Sequence, residues 1–218
     1  MALKQIDIGA ELSKGWNLFK LNMGVLIVAG VIATLVTLVT CLVLSGPLSA
    51  GLFLIVRRLI QNDPVKPQAG DVFKGLDYFL QAFLLMLACF VVSLVCSLVL
   101  GIVPILGQLA SIVLSLALGS AMMWAMMFVV YEKMTAVDAV KKVFASLKTG
   151  EFTMPLLFGA LASLVSNAGV FACGVGVFFT IPLGYCMMAC CYQTLYGDEA
   201  QLSEPEVVPP PPPDDLRL

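Results

Sequence analysis

Histidine is absent from the 218 residues, and only 12% of them are charged. Without imidazole there is no Ser-His-Asp relay, no H-E-x-x-H zinc helix and no histidine metal site. So little charge does not suit a soluble globular domain, in which roughly a quarter of residues are charged. The net charge is −2, and no nucleic-acid partner is expected. No short apolar core followed by an A-x-A site stands near the start, where Lys4, Asp7, Glu11 and Lys14 recur instead, so a cleavable signal is not expected. The long apolar runs contain no acid or base at all, and intramembrane ionisable residues are where proton coupling and catalysis usually reside. Catalytic residues, metal ligands and cofactors are therefore expected to be absent, and the chain is not expected to be an enzyme.

What the sequence has instead is length of apolar chain. Hydrophobic residues make up 60% of it, concentrated in runs at about 21–56, 78–130 and 154–195. Each run is too long for one membrane helix and suits two, since a crossing takes roughly 20 residues. This predicts an all-α polytopic membrane protein with six transmembrane helices. The first run is the shortest, so its two helices must be short or thin the bilayer locally. All seven cysteines fall within the runs; an odd number of thiols in hydrocarbon argues for small buried hydrophobes rather than a disulfide framework.

The twelve Lys and Arg occupy the N-terminal segment (Lys4, Lys14, Lys20), two loops (Arg57, Arg58, Lys66, Lys74 and Lys133, Lys141, Lys142, Lys148) and the C-terminus (Arg217). The other three connections, near Thr40, 101–107 and 168–176, carry no charge. By the positive-inside rule both termini and both charged loops are cytoplasmic, which predicts a multi-pass protein of the cytoplasmic (inner) membrane.

The chain also repeats itself. PLSAGLFLIVRRLIQND begins at Pro47 and PLGYCMMACCYQTLYGD at Pro182, and the acids that close them, Asp63 and Asp198, keep the same offset without a gap. Leu118-Gly119-Ser-Ala-Met122-Met123 matches Leu183-Gly184-Tyr-Cys-Met187-Met188, with Tyr131 and Tyr196 in register. An amphipathic segment precedes each pair of spans. Leu12, Trp16 and Phe19 share a face in the first; Lys74-Gly75 and Phe79 repeat Lys14-Gly15 and Phe19 in the second. In the third, Val140, Val143, Phe144 and Leu147 make an apolar stripe, with Thr135 and Asp138 as a capping box. Such helices lie in the headgroup plane, apolar face down. The expectation is a membrane domain over 1–197, with internal repeats at about 5–63, 70–133 and 134–198, each an interfacial helix plus a transmembrane hairpin. Residues 198–218, with Pro209, Pro210, Pro211, Pro212 and Pro213 in a row, read as a disordered cytoplasmic tail.

Several residues are candidates for function. Arg57, Arg58, Lys74, Lys141, Lys142 and Lys148 suit lipid headgroups, although the first two also serve as orientation anchors. Pro47 and Pro182 read as helix kinks, either opening a cavity or merely packed. Cys186 with Cys190, Met122 with Met126 and Met123 with Met127 share helix faces and carry the soft sulfur that Cu(I) prefers, but methionine also simply fills gaps. Gly159/Ser163 and Ala162/Ser166 are spaced for close helix approach. The proline run offers a preformed rod for a cytoplasmic protein partner, or is only a spacer.

Gly46-Pro47-Leu48 followed by Gly51, the Asp71-Val-Phe73 opening of the second amphipathic segment, and residues 139–146 before the last hairpin resemble a group of bacterial six-span membrane proteins of unknown function. That group is similar to the membrane domain of some glycerophosphoryl diester phosphodiesterases. The resemblance implies an integral membrane module over about residues 5–197, without the histidine-dependent catalytic domain. The functional expectation is a non-catalytic scaffold or accessory partner-binding protein with inner-leaflet lipid contacts. The alternative is a transporter or channel for a small or hydrophobic solute, with a Cu(I) carrier as a minor variant.

Overall fold

The computed structural model describes residues 7–40, 43–102, 106–148, 152–171 and 176–202. Its elements are α1 (Ile8–Leu21), α2 (Met23–Val39), α3 (Ser45–Ile60), a 3₁₀ helix (Ala69–Tyr78), α4 (Phe79–Leu100), α5 (Leu106–Tyr131), α6 (Ala136–Lys148), α7 (Thr153–Phe171) and α8 (Val177–Leu202). Among the described residues there is no strand, and the chain is all-α as expected.

Local chemistry sets the helix ends. The Asp7 carboxylate accepts from the N–H groups of Gly9 and Ala10 at 3.0 and 3.3 Å and so caps α1. Thr135 Oγ1 accepts from the Asp138 N–H at 3.2 Å, the cap its position predicted for α6. The α3 stop is a full Schellman turn: Asn62 is left-handed (φ 51°), Asp63 N–H returns to the Arg58 carbonyl and Asn62 N–H to that of Leu59. Lys133, two residues beyond α5, is also left-handed (φ 55°).

Among the described residues, three stretches are long and apolar enough to cross a bilayer: Ala69–Leu100, Gly107–Tyr131 and Val177–Gly197. The number rises to five if α1 with α2, bent by 89°, and α6 with α7, bent by 119°, each count as one span. Length and composition of the described residues therefore support three to five spans. Taken singly, α2 with 17 residues and α3 with only 16 lie at or below the roughly 17–25 that a crossing needs, and α7 qualifies only together with α6.

The packing is cyclic. α3, α5 and α8 touch one another at the centre. Around them α2 lies against α3 and α8, α4 against α3 and α5, and α7 against α5 and α8. The short segments follow the same rule: α1 packs on α8, the 3₁₀ helix on α3, and α6 on α5. The closest of these joints has no room for side chains. A Cβ on Gly51 would overlap the Val72 carbonyl, and one on Gly75 would overlap the Pro47 carbonyl. At α1 the matching glycine is Gly15, where a Cβ would lie 2.7 Å from Met187 Cα. The spacing of Gly159, Ala162 and Ser166 has the predicted use, since Gly159 faces Ser120 and Trp124 of α5 while Gly184 of α8 meets Ala162 and Ser166.

Two expectations need correction, the kink at Pro47 and the helix end before Asp198. Pro47 is the third residue of α3, where an N–H has no intrahelical acceptor, so it kinks nothing. Pro182 does lie inside α8, and its ring meets Gly30 of α2. The amphipathic faces are divided, with Phe19, Val72 and Val143 buried against the protein and Trp16, Phe73 and Phe144 exposed. Asp198 does not follow the helix: α8 continues through it to Leu202, so the described helix overlaps the start of the segment read as tail. The proline run and the rest of 203–218 lie outside the described residues, as do Cys41 and Cys173.

Candidate functional site

The C-terminal ends of α3, α5 and α8 meet, and the polar chemistry of the protein gathers there. Tyr131 of α5 donates its hydroxyl to the Phe53 carbonyl of α3 at 3.1 Å, and its ring stands 4.9 Å from that of Tyr192 in α8. Trp124, Phe128, Phe152 and Tyr196 extend this contact into one aromatic cluster. The buried indole N–H is satisfied, donating to the Pro155 carbonyl at 3.0 Å.

Each short segment brings charge to this end. In the first, Glu11 is 2% exposed, and its Oε1 accepts from Lys14 at 2.7 Å and from the Thr194 hydroxyl of α8 at 3.0 Å. Its Oε2 is buried without a hydrogen-bond partner. In the second, Asp71 accepts from Lys74 at 2.8 Å and from Arg58 of α3 at 3.2 Å; Arg58 also holds Asp63 at 2.9 Å. That guanidinium keeps the Asp63 carboxyl below its ordinary value of 3.8, helped by the Val65 N–H. In the third, Lys142 reaches back to both oxygens of Glu132, at 2.8 and 2.6 Å, and stands over the rings of Phe128 and Tyr196. The Tyr192 hydroxyl donates to the same Glu132. The acid–lysine pairs Glu11/Lys14, Asp71/Lys74 and Asp138/Lys141 share an i,i+3 spacing, legible in the sequence but not recognised as a signal there. The partners across elements, Thr194 and Arg58, carry no such mark.

The six residues expected at lipid headgroups therefore divide. Arg58 and Lys142 are engaged in ion pairs within the fold, and the Arg57 guanidinium lies over the Tyr131 ring at 5.3 Å. Lys74 bonds Asp71 yet leaves 56% of its side chain exposed. Lys141, 3.7 Å from Asp138, and Lys148 at the end of α6 both point outward. Among the sulfur candidates, Cys186, Met126 and Met127 are buried core residues, Met123 and Cys190 are half-buried, and Met122 lines a groove between α4, α5 and α6 together with Cys89. No group of three or more His, Cys, Asp or Glu with metal-site geometry occurs among the described residues.

Among the described residues, three recesses between the helices stand out. The groove of Met122 and Cys89 has a volume of about 140 Å³ and is almost wholly apolar. Further along α4 and α5, Ser93, Ser97, Ser111 and Ser115 line a cleft of about 250 Å³. The third recess, about 190 Å³ between α2, α3 and α8, carries Thr34, Thr37, Ser45, Ser49 and Tyr185.

The chain matches no protein-family model, no curated protein and no solved structure. No link to the membrane domain of glycerophosphoryl diester phosphodiesterases comes from these comparisons.

Proposed function

We propose that the protein is a non-catalytic scaffold of the cytoplasmic (inner) membrane, with six spans in three repeats of an interfacial helix and a transmembrane hairpin. The cyclic packing carries this reading: each short segment clasps the second helix of the preceding unit, and α1 closes the circle on α8. The sharp turns from α1 into α2 and from α6 into α7 suit helices that lie in the interface before a span begins. α2 and α3 then cross as a short hairpin that draws the bilayer thin, at a modest cost per ångström of mismatch. The resemblance to six-span bacterial membrane modules agrees with this architecture.

Scaffolding is favoured because the acids and bases serve to join elements. Arg58–Asp71, Glu11–Thr194 and Lys142–Glu132 each tie a short segment to the end of a central helix. The apolar runs at about 21–56, 78–130 and 154–195 hold no carboxylate, lysine or arginine for proton or ion coupling. Both termini and the charged helix ends face the cytoplasm, where exposed Lys74, Lys141 and Lys148 meet anionic headgroups and the proline-rich tail meets a cytoplasmic protein partner. A crosslinking pull-down of full-length protein beside a truncation after Leu202 tests the tail; loss of a partner on truncation is expected.

The hydroxyl-lined recesses favour a second reading, a transporter or channel for a small or hydrophobic solute, with Cu(I) through Met122 and Cys89 as a variant. Reconstituted vesicles separate the two. A scaffold gives no saturable uptake of solute or copper above empty vesicles; saturable uptake lost when the serines of the α4–α5 cleft are replaced would establish the carrier.

A further inference from the structure

The groove between α4, α5 and α6 exists because small residues meet where larger ones would fill the space. Ala88 of α4 and Ala121 and Ala125 of α5 share its lining with Val140, Val143 and Phe144 of α6. At about 140 Å³ it compares with an engineered apolar cavity of about 150 Å³ that binds benzene. Phe144 forms its rim, 61% exposed. On α6 the positions three before and four after Phe144 lie one turn to either side on the same face, and they are Lys141 and Lys148. Asp138 stands 3.7 Å from Lys141, both being exposed, and Lys142 is turned away onto Glu132. The mouth of an apolar slot is thus flanked by two outward lysines on a short, strongly amphipathic helix.

We propose that this groove is a binding site for one anionic phospholipid, with part of an acyl chain beside Ala88, Ala121 and Ala125 and the phosphate between Lys141 and Lys148. The proposal rests on the membrane-scaffold reading and names the ligand of one of its faces. A tail alone would have only the apolar lining to bind; the lysines add a choice of headgroup. Attraction of about 1 kcal/mol for each lysine near an anionic headgroup corresponds to roughly fivefold in affinity per residue.

Native mass spectrometry of the whole chain, released from micelles holding equal phosphatidylglycerol and phosphatidylcholine, reads the site directly. The expected result is one retained lipid per protein, with phosphatidylglycerol preferred several-fold. Lys141→Gln with Lys148→Gln, at exposed positions that leave the fold intact, should retain one lipid but lose the preference. Ala121→Phe should fill the groove and lose the lipid altogether. Retention that is equal for both lipids in the unaltered protein, or a preference unchanged in the double lysine variant, overturns the proposal. So does a dimer, crosslinked through Cys89 and broken by Ala121→Phe, which would make a second copy of the chain the occupant. Solute flux and topology are read in other assays, so failure here leaves the scaffold reading standing and the two failures are told apart.

Discussion

Replacing Gly75 by alanine adds one methyl group at the tightest joint in the molecule. Its Cβ would overlap the Pro47 carbonyl oxygen and lie 2.8 Å from Gly51 Cα. Both obstacles are backbone, so no flexible side chain can swing aside, and the 3₁₀ helix and α3 must move apart. Overpacking of this kind costs typically 1–3 kcal/mol, with up to about 1 kcal/mol regained because alanine is a better helix former than glycine. Overlap with backbone on both residues puts the cost at about 2–3 kcal/mol, so the net loss is about 1–2 kcal/mol. For a chain of this size each kcal/mol shifts the melting midpoint by about 2–4 °C, so a fall of about 2–8 °C is expected. Gly24 in α2 is the control, since nothing lies within 4 Å of the Cβ it lacks. Gly24→Ala should leave the midpoint unchanged or raise it by about 2–4 °C. The measurement is thermal unfolding of both variants in the same detergent, followed by intrinsic fluorescence. Equal midpoints for Gly75→Ala and Gly24→Ala would refute the argument that backbone contact joins the 3₁₀ helix to α3.

Other expectations follow from the charged ends and the prolines. A double-mutant cycle on Glu132→Gln and Lys142→Gln should give a coupling near 1 kcal/mol, since both side chains are only about a third exposed or less; a coupling near zero would make the contact incidental. The Asp63 carboxyl is held below 3.8 in the folded state, so its contribution is present above the unfolded pKa and is lost as pH falls through and below that value. Asp63→Asn should accordingly flatten part of the acid limb of the stability–pH curve and leave the neutral limb alone. Pro47→Ala should change the melting midpoint little, because the first turn of α3 gives the restored N–H no helical acceptor. Glu11→Gln keeps a carbonyl oxygen for Lys14 and Thr194 while removing a buried charge, so it should be tolerated better than Glu11→Ala, which loosens α1 from α8.

The all-helical class and most helix positions could be read from the apolar runs, and the α6 start from Thr135 and Asp138, because periodicity and capping act within a few residues. What escaped depends on contacts between distant parts of the chain. Pro47 stands in an apolar run that hides the beginning of α3, so a first-turn proline looked like a mid-helix kink. α8 outlasts its apolar stretch because helical hydrogen bonds continue through residues 198–202, whose composition reads as tail. Glycine spacing was visible at Gly15 and Gly75, but nothing local says that Gly75 faces Gly51 or that Gly15 faces Met187. The charged ends were partly open to reading: the acid–lysine spacing was there, whereas Thr194 lies far from Glu11 in sequence and beside it in space. The groove was closed to sequence reading, since Ala88 and Ala121 look unremarkable until α4 and α5 pair.

The central claim is that the C-terminal ends of α3, α5 and α8 meet on the cytoplasmic side of the membrane, with three hairpin connections outside. Paired reporters, a fluorescent protein that matures only inside the cell and alkaline phosphatase active only outside, test it most directly when fused at residues 63, 133 and 202 and at 41, 104 and 174. The account predicts fluorescence without phosphatase activity at the first three sites and the opposite at the other three. Phosphatase activity at 63, 133 or 202 would contradict it, because helix ends that touch one another cannot lie on opposite sides of the membrane.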